Sequence, residues 1–106
     1  MVIVIIKLNA RSEKCLELKQ SLLALIEPTR KEKGCLGHNI FQDIENDNDF
    51  SLIQMWQTRG DLDDYLRSEL FTVLIGTSYL LSRPSEISVN EVTRTSGWED
   101  VEAVRR

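Results

Sequence analysis

The seven residues from Val2 to Leu8 read Val-Ile-Val-Ile-Ile-Lys-Leu. So dense a β-branched run favours extended backbone, and it is too short to span a membrane as a helix. Alternation puts Val2, Val4, Ile6 and Leu8 on one face and Ile3 and Ile5 on the other. A strand that is apolar on both sides must be covered on both sides. Any fold this chain adopts has to supply that double cover.

The segments that follow alternate in period. From Glu13 to Glu27 the apolar residues Cys15, Leu18, Leu22, Leu25 and Ile26 share one helical face, with Ser12 placed to cap it. Pro28 is expected to end or kink this helix. Arg30, Lys31 and Lys33 suit its C-terminal end, and Gly34 suits the position just past it. Residues Leu36 to Ile44 alternate as a second strand, and Phe50 to Gln57 as a third. The turn formers Glu45-Asn-Asp-Asn-Asp49 between them make an antiparallel hairpin. Thr58-Arg-Gly-Asp61 has capping-box spacing. The helix after it carries Leu62, Tyr65 and Leu66, restarts at Ser68-Glu69, and continues its apolar face through Leu70, Phe71, Leu74, Ile75 and Ser78. Arg83-Pro84 stops it. Ile87 to Thr95 reads as a fourth strand, with Ile87, Val89, Glu91 and Thr93 on one face.

The order βαββαβ is that of the ferredoxin-like α+β fold with a four-stranded antiparallel sheet. We expect residues 1–95 to form this domain and residues 96–106 to form a polar C-terminal tail. Two helices cover one face of such a sheet. Strand three, like strand one, is apolar on both faces, with Phe50, Leu52 and Trp56 on one and Ile53 and Met55 on the other. Whichever face the helices leave open is therefore apolar, and a contiguous apolar face marks an interface. The simplest closure is a two-fold homodimer, sheet against sheet. Trp98, the one large apolar group of the tail, would serve either as an arm on the partner or as a plug on its own subunit.

Charge and composition remove several classes. The chain has 106 residues, 42% hydrophobic and 28% charged, which is globular rather than disordered. A net charge of -4 with no Lys/Arg cluster lacks the footprint of a nucleic-acid binder. No apolar run approaches the ~20 residues of a membrane span, and the N-terminus lacks the basic region and cleavage site of a leader. The expected location is therefore the cytoplasm, with no membrane partner. Cys15 and Cys35 fit no zinc spacing, and the single histidine, His38, cannot complete one. Both cysteines read as small buried hydrophobes.

Three segments resemble the antibiotic biosynthesis monooxygenase domain family. Glu27-Pro-Thr-Arg-Lys-Glu-Lys-Gly-Cys35 is similar to that family's E-P-T-R-x-E-x-G-C segment. Phe50-Ser-Leu-Ile-Gln-Met-Trp56, after the hairpin acids, is similar to its F-x-L-x-E-x-W strand. Leu62-Asp-Asp-Tyr65-Leu66, with Ser68 and Phe71, is similar to its L-x-x-H-x-x-S-x-x-F helix. The resemblance runs over residues 1–95 and implies a dimeric α+β barrel. It also implies kinship with oxygenases that use no cofactor and oxidise quinols or anthrone-like polyketides, with haem-degrading proteins, and with members of no known activity. The departures bear on activity: the family's helix-two His is Tyr65, its strand-three Glu is Gln54, and its strand-two aromatic is His38. The Asn-Trp-His set of the haem-degrading relatives is absent. Its Trp position falls on Tyr65, its His on Ile75, and no Asn lies mid-strand one. No cofactor is expected.

Cofactor-free oxygenation asks little of a protein. A phenol or quinol loses a proton, its anion reduces dioxygen, and the protein supplies a dry pocket, a proton acceptor and orienting donors. Tyr65 is the first candidate, as a donor to a substrate oxygen. His38, able to titrate near neutral pH, is the candidate base if its strand face points to the helices. Trp56 and Phe71 would wall an aromatic substrate, and Gln54 and Asn39 would orient a carbonyl. Each also has a plainer reading as a core or interface side chain. The acids Asp61, Asp63 and Asp64 are accounted for by the helix dipole. The reading is a cofactor-independent monooxygenase acting on a quinol or a phenolic or polycyclic aromatic substrate. The alternative is a non-catalytic homodimer of the same fold that binds a small apolar ligand or has a regulatory role.

Overall fold

The apolar alternation of the first strand organises the molecule. In the computed structural model, which describes residues 1–106, β1 (Val2–Asn9) runs through the sheet interior. With β2 (Cys35–Gln42), β3 (Asp49–Trp56) and β4 (Glu86–Glu91) it forms one antiparallel sheet in the order β2-β3-β1-β4. That is the ferredoxin-like order, and the expected fold class holds. The register aligns whole rows across the sheet. His38, Gln54, Val4 and Val89 stand side by side, as do Ile40, Leu52, Ile6 and Ile87.

Helices cover one face only. Val2, Val4, Ile6 and Leu8 from β1, with Phe50, Leu52 and Trp56 from β3, pack against Leu18, Leu22, Leu62 and Leu74. Full burial of one such side chain stabilises the fold by about 1.5–3 kcal/mol. The opposite face carries Ile3, Ile5, Ile53 and Met55, only half-buried, beside the half-exposed Phe41. The two-sided apolarity of β1 is therefore met on one side by this chain.

The elements depart from the sequence expectation in instructive places. The first helix is three pieces: a 3-10 turn at Ser12–Lys14, α1 (Cys15–Ala24) and α2 (Ile26–Arg30). The break falls at Leu25, and Pro28 sits in the first turn of α2, where its missing N–H is not needed. Ser12 caps nothing; its hydroxyl accepts from the Asn48 side chain across the hairpin. The second helix breaks where Ser68 predicts it. Arg59–Leu66 forms α3, and Glu69–Ile75 forms α4, whose cap is Ser68 Oγ accepting from the Phe71 N–H at 3.3 Å. A 3-10 segment, Gly76–Leu80, follows. Only half of the Thr58 capping box forms: Thr58 Oγ1 accepts from the Asp61 N–H, while the Asp61 side chain lies against Gly34. β2 starts one residue earlier and ends two earlier than expected, with Ile44 fully exposed in the hairpin. β4 ends at Glu91, leaving Thr93 and Thr95 outside the sheet. The tail contains an eight-residue helix, α5 (Trp98–Arg105).

Candidate functional site

The helix face of β3 alternates Phe50, Leu52, Gln54, Trp56, so a lone amide projects into an apolar layer. A buried amide must find partners. Gln54 finds two: its Oε1 accepts from Trp56 Nε1 and its Nε2 donates to Tyr65 Oη, both at 3.2 Å. Tyr65 arrives from the inward face of α3 and stacks on Trp56 with ring centroids 4.8 Å apart. Phe71, one turn into α4, meets Tyr65 edge-on at 5.5 Å. The Thr29 hydroxyl, brought in by α2 and itself buried, is a second polar neighbour of the Tyr65 hydroxyl. Burial raises the Tyr65 pKa, against smaller opposing pulls from Gln54 and Thr29. The phenol is therefore a protonated donor at neutral pH and not a base.

His38 does face the helices. It is 2% exposed, and neither ring nitrogen meets a protein partner. Burial, with a smaller contribution from the nearby Arg30 charge, lowers its pKa to about 4. The imidazole is thus neutral at physiological pH, able to accept or donate one hydrogen bond but weak as a base.

Asn39 does not join this group. One residue on from His38, it lies on the opposite face, exposed, with its Oδ1 accepting from Arg30 Nη2 at 3.1 Å. Strand alternation forbids adjacent residues from lining one site. Of the six candidates, then, Gln54, Trp56, Tyr65 and Phe71 come together, His38 stands beside Gln54 on the next strand, and Asn39 is elsewhere. Thr29 was missed by sequence reasoning. The signal was its place three residues after Ile26, on the same side of a short helix, directly after Pro28.

Next to this cluster a cleft of about 120 Å³ opens between the sheet and α4. Ile6, Leu8 and Ile87 line its sheet side, Phe71, Leu74 and Leu81 its other walls, and Thr77, Ser78 and Ser85 contribute the only polar groups. Phe71 belongs to both features: it walls the cleft and packs on Tyr65. The volume suits about one aromatic ring. A larger hollow of about 220 Å³, among Lys7, Asn9, Asp49, Arg83 and Glu86, is polar and internally paired: Asn9 donates to Asp49, and Arg83 stands 3.9 Å from Asp49. No group of three or more His, Cys, Asp or Glu is placed to hold a metal ion. The acids of α3 are engaged otherwise, Asp63 with Arg59 at 2.9 Å and Asp64 with Arg67 at 3.0 Å. No helix is long and apolar enough to cross a membrane.

Comparison with known proteins gives consistent matches. A family model described as antibiotic biosynthesis monooxygenase matches residues 1–75. An uncharacterized protein of Synechocystis, sll1783, is 32% identical over 82 residues, covering 73% of this chain. The chain spans 56% of the length of that relative. Among solved structures, a conserved protein of Methanosarcina mazei is 30% identical with a TM-score of 0.80, over 85% of this chain and 90% of that one. SnoaB of Streptomyces nogalater, a cofactor-independent oxygenase, has a TM-score of 0.76 over 89% of this chain and 94% of its own. At 14% identity that last likeness speaks for the fold alone.

Proposed function

Because the chain belongs to the antibiotic biosynthesis monooxygenase family, we propose that it is a cofactor-independent monooxygenase acting on a small phenol or quinol. The observation that carries this reading is the double contact of Phe71, which walls a mostly apolar single-ring cleft on one side and packs edge-on against the Tyr65 ring on the other. A shift of Phe71 would bring a bound ring up to the Tyr65 ring, and the substrate oxygen would then take a place beside Gln54 at the Tyr65 hydroxyl. Tyr65, held protonated by its burial, would donate to the developing phenolate oxygen. His38, the one imidazole on this face of the sheet, is the candidate proton acceptor, a weak one at a pKa of about 4 and two strands away from the cleft residue Ile6. The substrate supplies the electrons. One oxygen atom of dioxygen enters a ring carbon that bears hydrogen, opposite the phenolate in a phenol or beside an oxygenated carbon in a quinol. The product is a quinone or a hydroxyquinone, and the other oxygen atom leaves as water with two hydrogens from the substrate. Trp56 and Gln54 hold the Tyr65 ring and hydroxyl in place. A cleft of about 120 Å³ favours one ring over a polycyclic substrate.

Oxygen uptake by cofactor-free protein, across a panel of phenols, hydroquinones and anthrones and against a heat-killed baseline, tests this. Tyr65→Phe is expected to lower the rate about 10- to 100-fold, the usual effect of removing one transition-state donor. Uptake that is unchanged in this variant would remove Tyr65 from the mechanism. A second reading, a non-catalytic ligand-binding or regulatory dimer, is favoured by a specific observation. Tyr65 and Gln54 are 3% and 0% exposed and already satisfy each other. No uptake anywhere in the panel would select it.

Both readings share a homodimer through the open sheet face, supported by the half-buried Ile3, Ile5, Ile53 and Met55. Ile5→Asp places a charge in the middle of that face. By light scattering at micromolar concentration the wild type should have dimer mass and the variant monomer mass; a monomeric wild type would refute the interface. The expected place of action is the cytoplasm, in keeping with two free thiols.

A further inference from the structure

No residue of α5 is buried. Trp98, Val101 and Val104 recur every third position and share an arc of about 120°. They are 76%, 43% and 80% exposed. An isolated helix of eight residues is marginal in water, and helices this short are held by the surface they pack on. A helix carrying a Trp-Val-Val stripe therefore calls for an apolar partner.

The chain presents one immediately before it. β4 is an edge strand whose helix-side residues Ile87 and Val89 are 50% and 37% exposed, because the helix layer stops short of it. Ile87 also forms one wall of the cleft, and Ile75, 58% exposed, stands on the opposite side. The backbone is pinned as far as Val92, whose N–H donates to the Met1 carbonyl at 2.9 Å. Thr93–Gly97 contain no helix or strand and reach at most about 17 Å, enough to reverse the chain. Eight helical residues then run about 12 Å back, against about 13 Å from Glu91 to Ile87 along the strand. Laid antiparallel to β4, α5 covers Val89 and Ile87 and brings Arg105 and Arg106 toward Glu86, at the start of the strand.

We infer that α5 is a lid that folds back on the β4 of its own chain and closes the mouth of the cleft. The lid rests on the cleft being the ligand site, and not on the ligand being oxidised there. It covers two apolar stripes in one movement, that of α5 and that of Ile87 and Val89 on β4. Ligand entry then requires the lid to lift, so apparent affinity scales with the lifted fraction.

The test is a disulfide trap. Val89→Cys and Val101→Cys are combined in a Cys15→Ser, Cys35→Ser background, oxidised mildly and run on a non-reducing gel, while NMR titration follows binding of p-cresol. The expected result is loss of both thiols at monomer mobility, with p-cresol binding weakened about tenfold and restored on reduction. A covalent dimer would send α5 to the partner subunit and overturn the lid. Persistence of free thiols, or a monomer cross-link without change in p-cresol binding, would overturn it equally. The reduced variant, with its unfolding midpoint, controls for misfolding. None of these readouts uses oxygen uptake, so a failed lid and a failed oxygenase are told apart.

Discussion

Between pH 7 and pH 4.5 the protein should lose about 2–3 kcal/mol of folding stability through His38 alone. The unfolded imidazole takes up a proton near its ordinary value of 6.5, whereas the folded one, buried and next to Arg30, resists until about pH 4. In that interval the unfolded chain holds more protons than the folded chain. Its population therefore grows as pH falls, and the contribution of this group is flat above 6.5 and below 4. Carboxylates also titrate toward the acid end, so the informative quantity is a difference between proteins. Urea unfolding at the two pH values, in wild type and in His38→Phe, should show a smaller pH dependence in the variant by that amount. At pH 7 the variant should be about as stable as wild type or better, because two buried ring nitrogens without partners are replaced by carbon. An equal pH slope in both proteins would mean that His38 opens to water or finds a partner in solution.

That His38 turns inward was legible in the sequence only as a condition. Alternation fixed that His38 and Asn39 must part company, and naming both as site residues asked two neighbours in a strand to share a face. What alternation left open was which set faced the helices, because β1 and β3 are apolar on both sides. The register decides it: His38 pairs with Gln54, which sits between Leu52 and Trp56 in the buried row. The Leu36 exposure was equally hidden, since it follows from an irregularity between Cys35 and Gly37 that adds a residue to β2. The Ser68 restart was readable because a cap is a local chemical event: one hydroxyl meets one N–H three residues on. The break at Leu25 was not, because it is set by how α1 and α2 each meet the sheet. The Gln54–Tyr65–Trp56 cluster falls between these cases. Its members were named, but that they bond to one another depends on α3 crossing β3, which no local pattern encodes. The cleft residues Leu81 and Ser85 come from the segment between α4 and β4, where periodicity is silent.

Gly34→Ala should lower stability by about 3 kcal/mol, a fall of about 15 °C in the melting midpoint of a domain this size. Gly34 has φ +79°, the one positive φ in the chain. An alanine there carries the left-handed cost of about 1–2 kcal/mol. Its Cβ would also sit 2.1 Å from Asp61 Oδ2, 2.3 Å from Asp61 Cγ and 2.5 Å from Asp61 Cβ. A carboxylate can rotate away, but the Cβ of Asp61 belongs to the first turn of α3 and moves only with the helix. The two causes separate in a double-mutant cycle. Asp61→Ala keeps that Cβ and should rescue little. Asp61→Gly removes it and should recover about 1 kcal/mol or more of the Gly34→Ala loss, after allowing for its own helix cost of about 0.5–1 kcal/mol. The consequence reaches the site, because α3 is the element that carries Tyr65 and the Gly34 carbonyl accepts from the Gln57 N–H at 2.8 Å, just before that helix. A shift of α3 away from β2 would stretch the Gln54–Tyr65 bond and unstack Tyr65 from Trp56. Gly34→Ala should therefore also change the near-UV circular dichroism of the aromatic cluster, and Asp61→Gly should restore it. Equal rescue by Asp61→Ala and Asp61→Gly would mean that the carboxylate, and not the position of the helix, is what Gly34 accommodates.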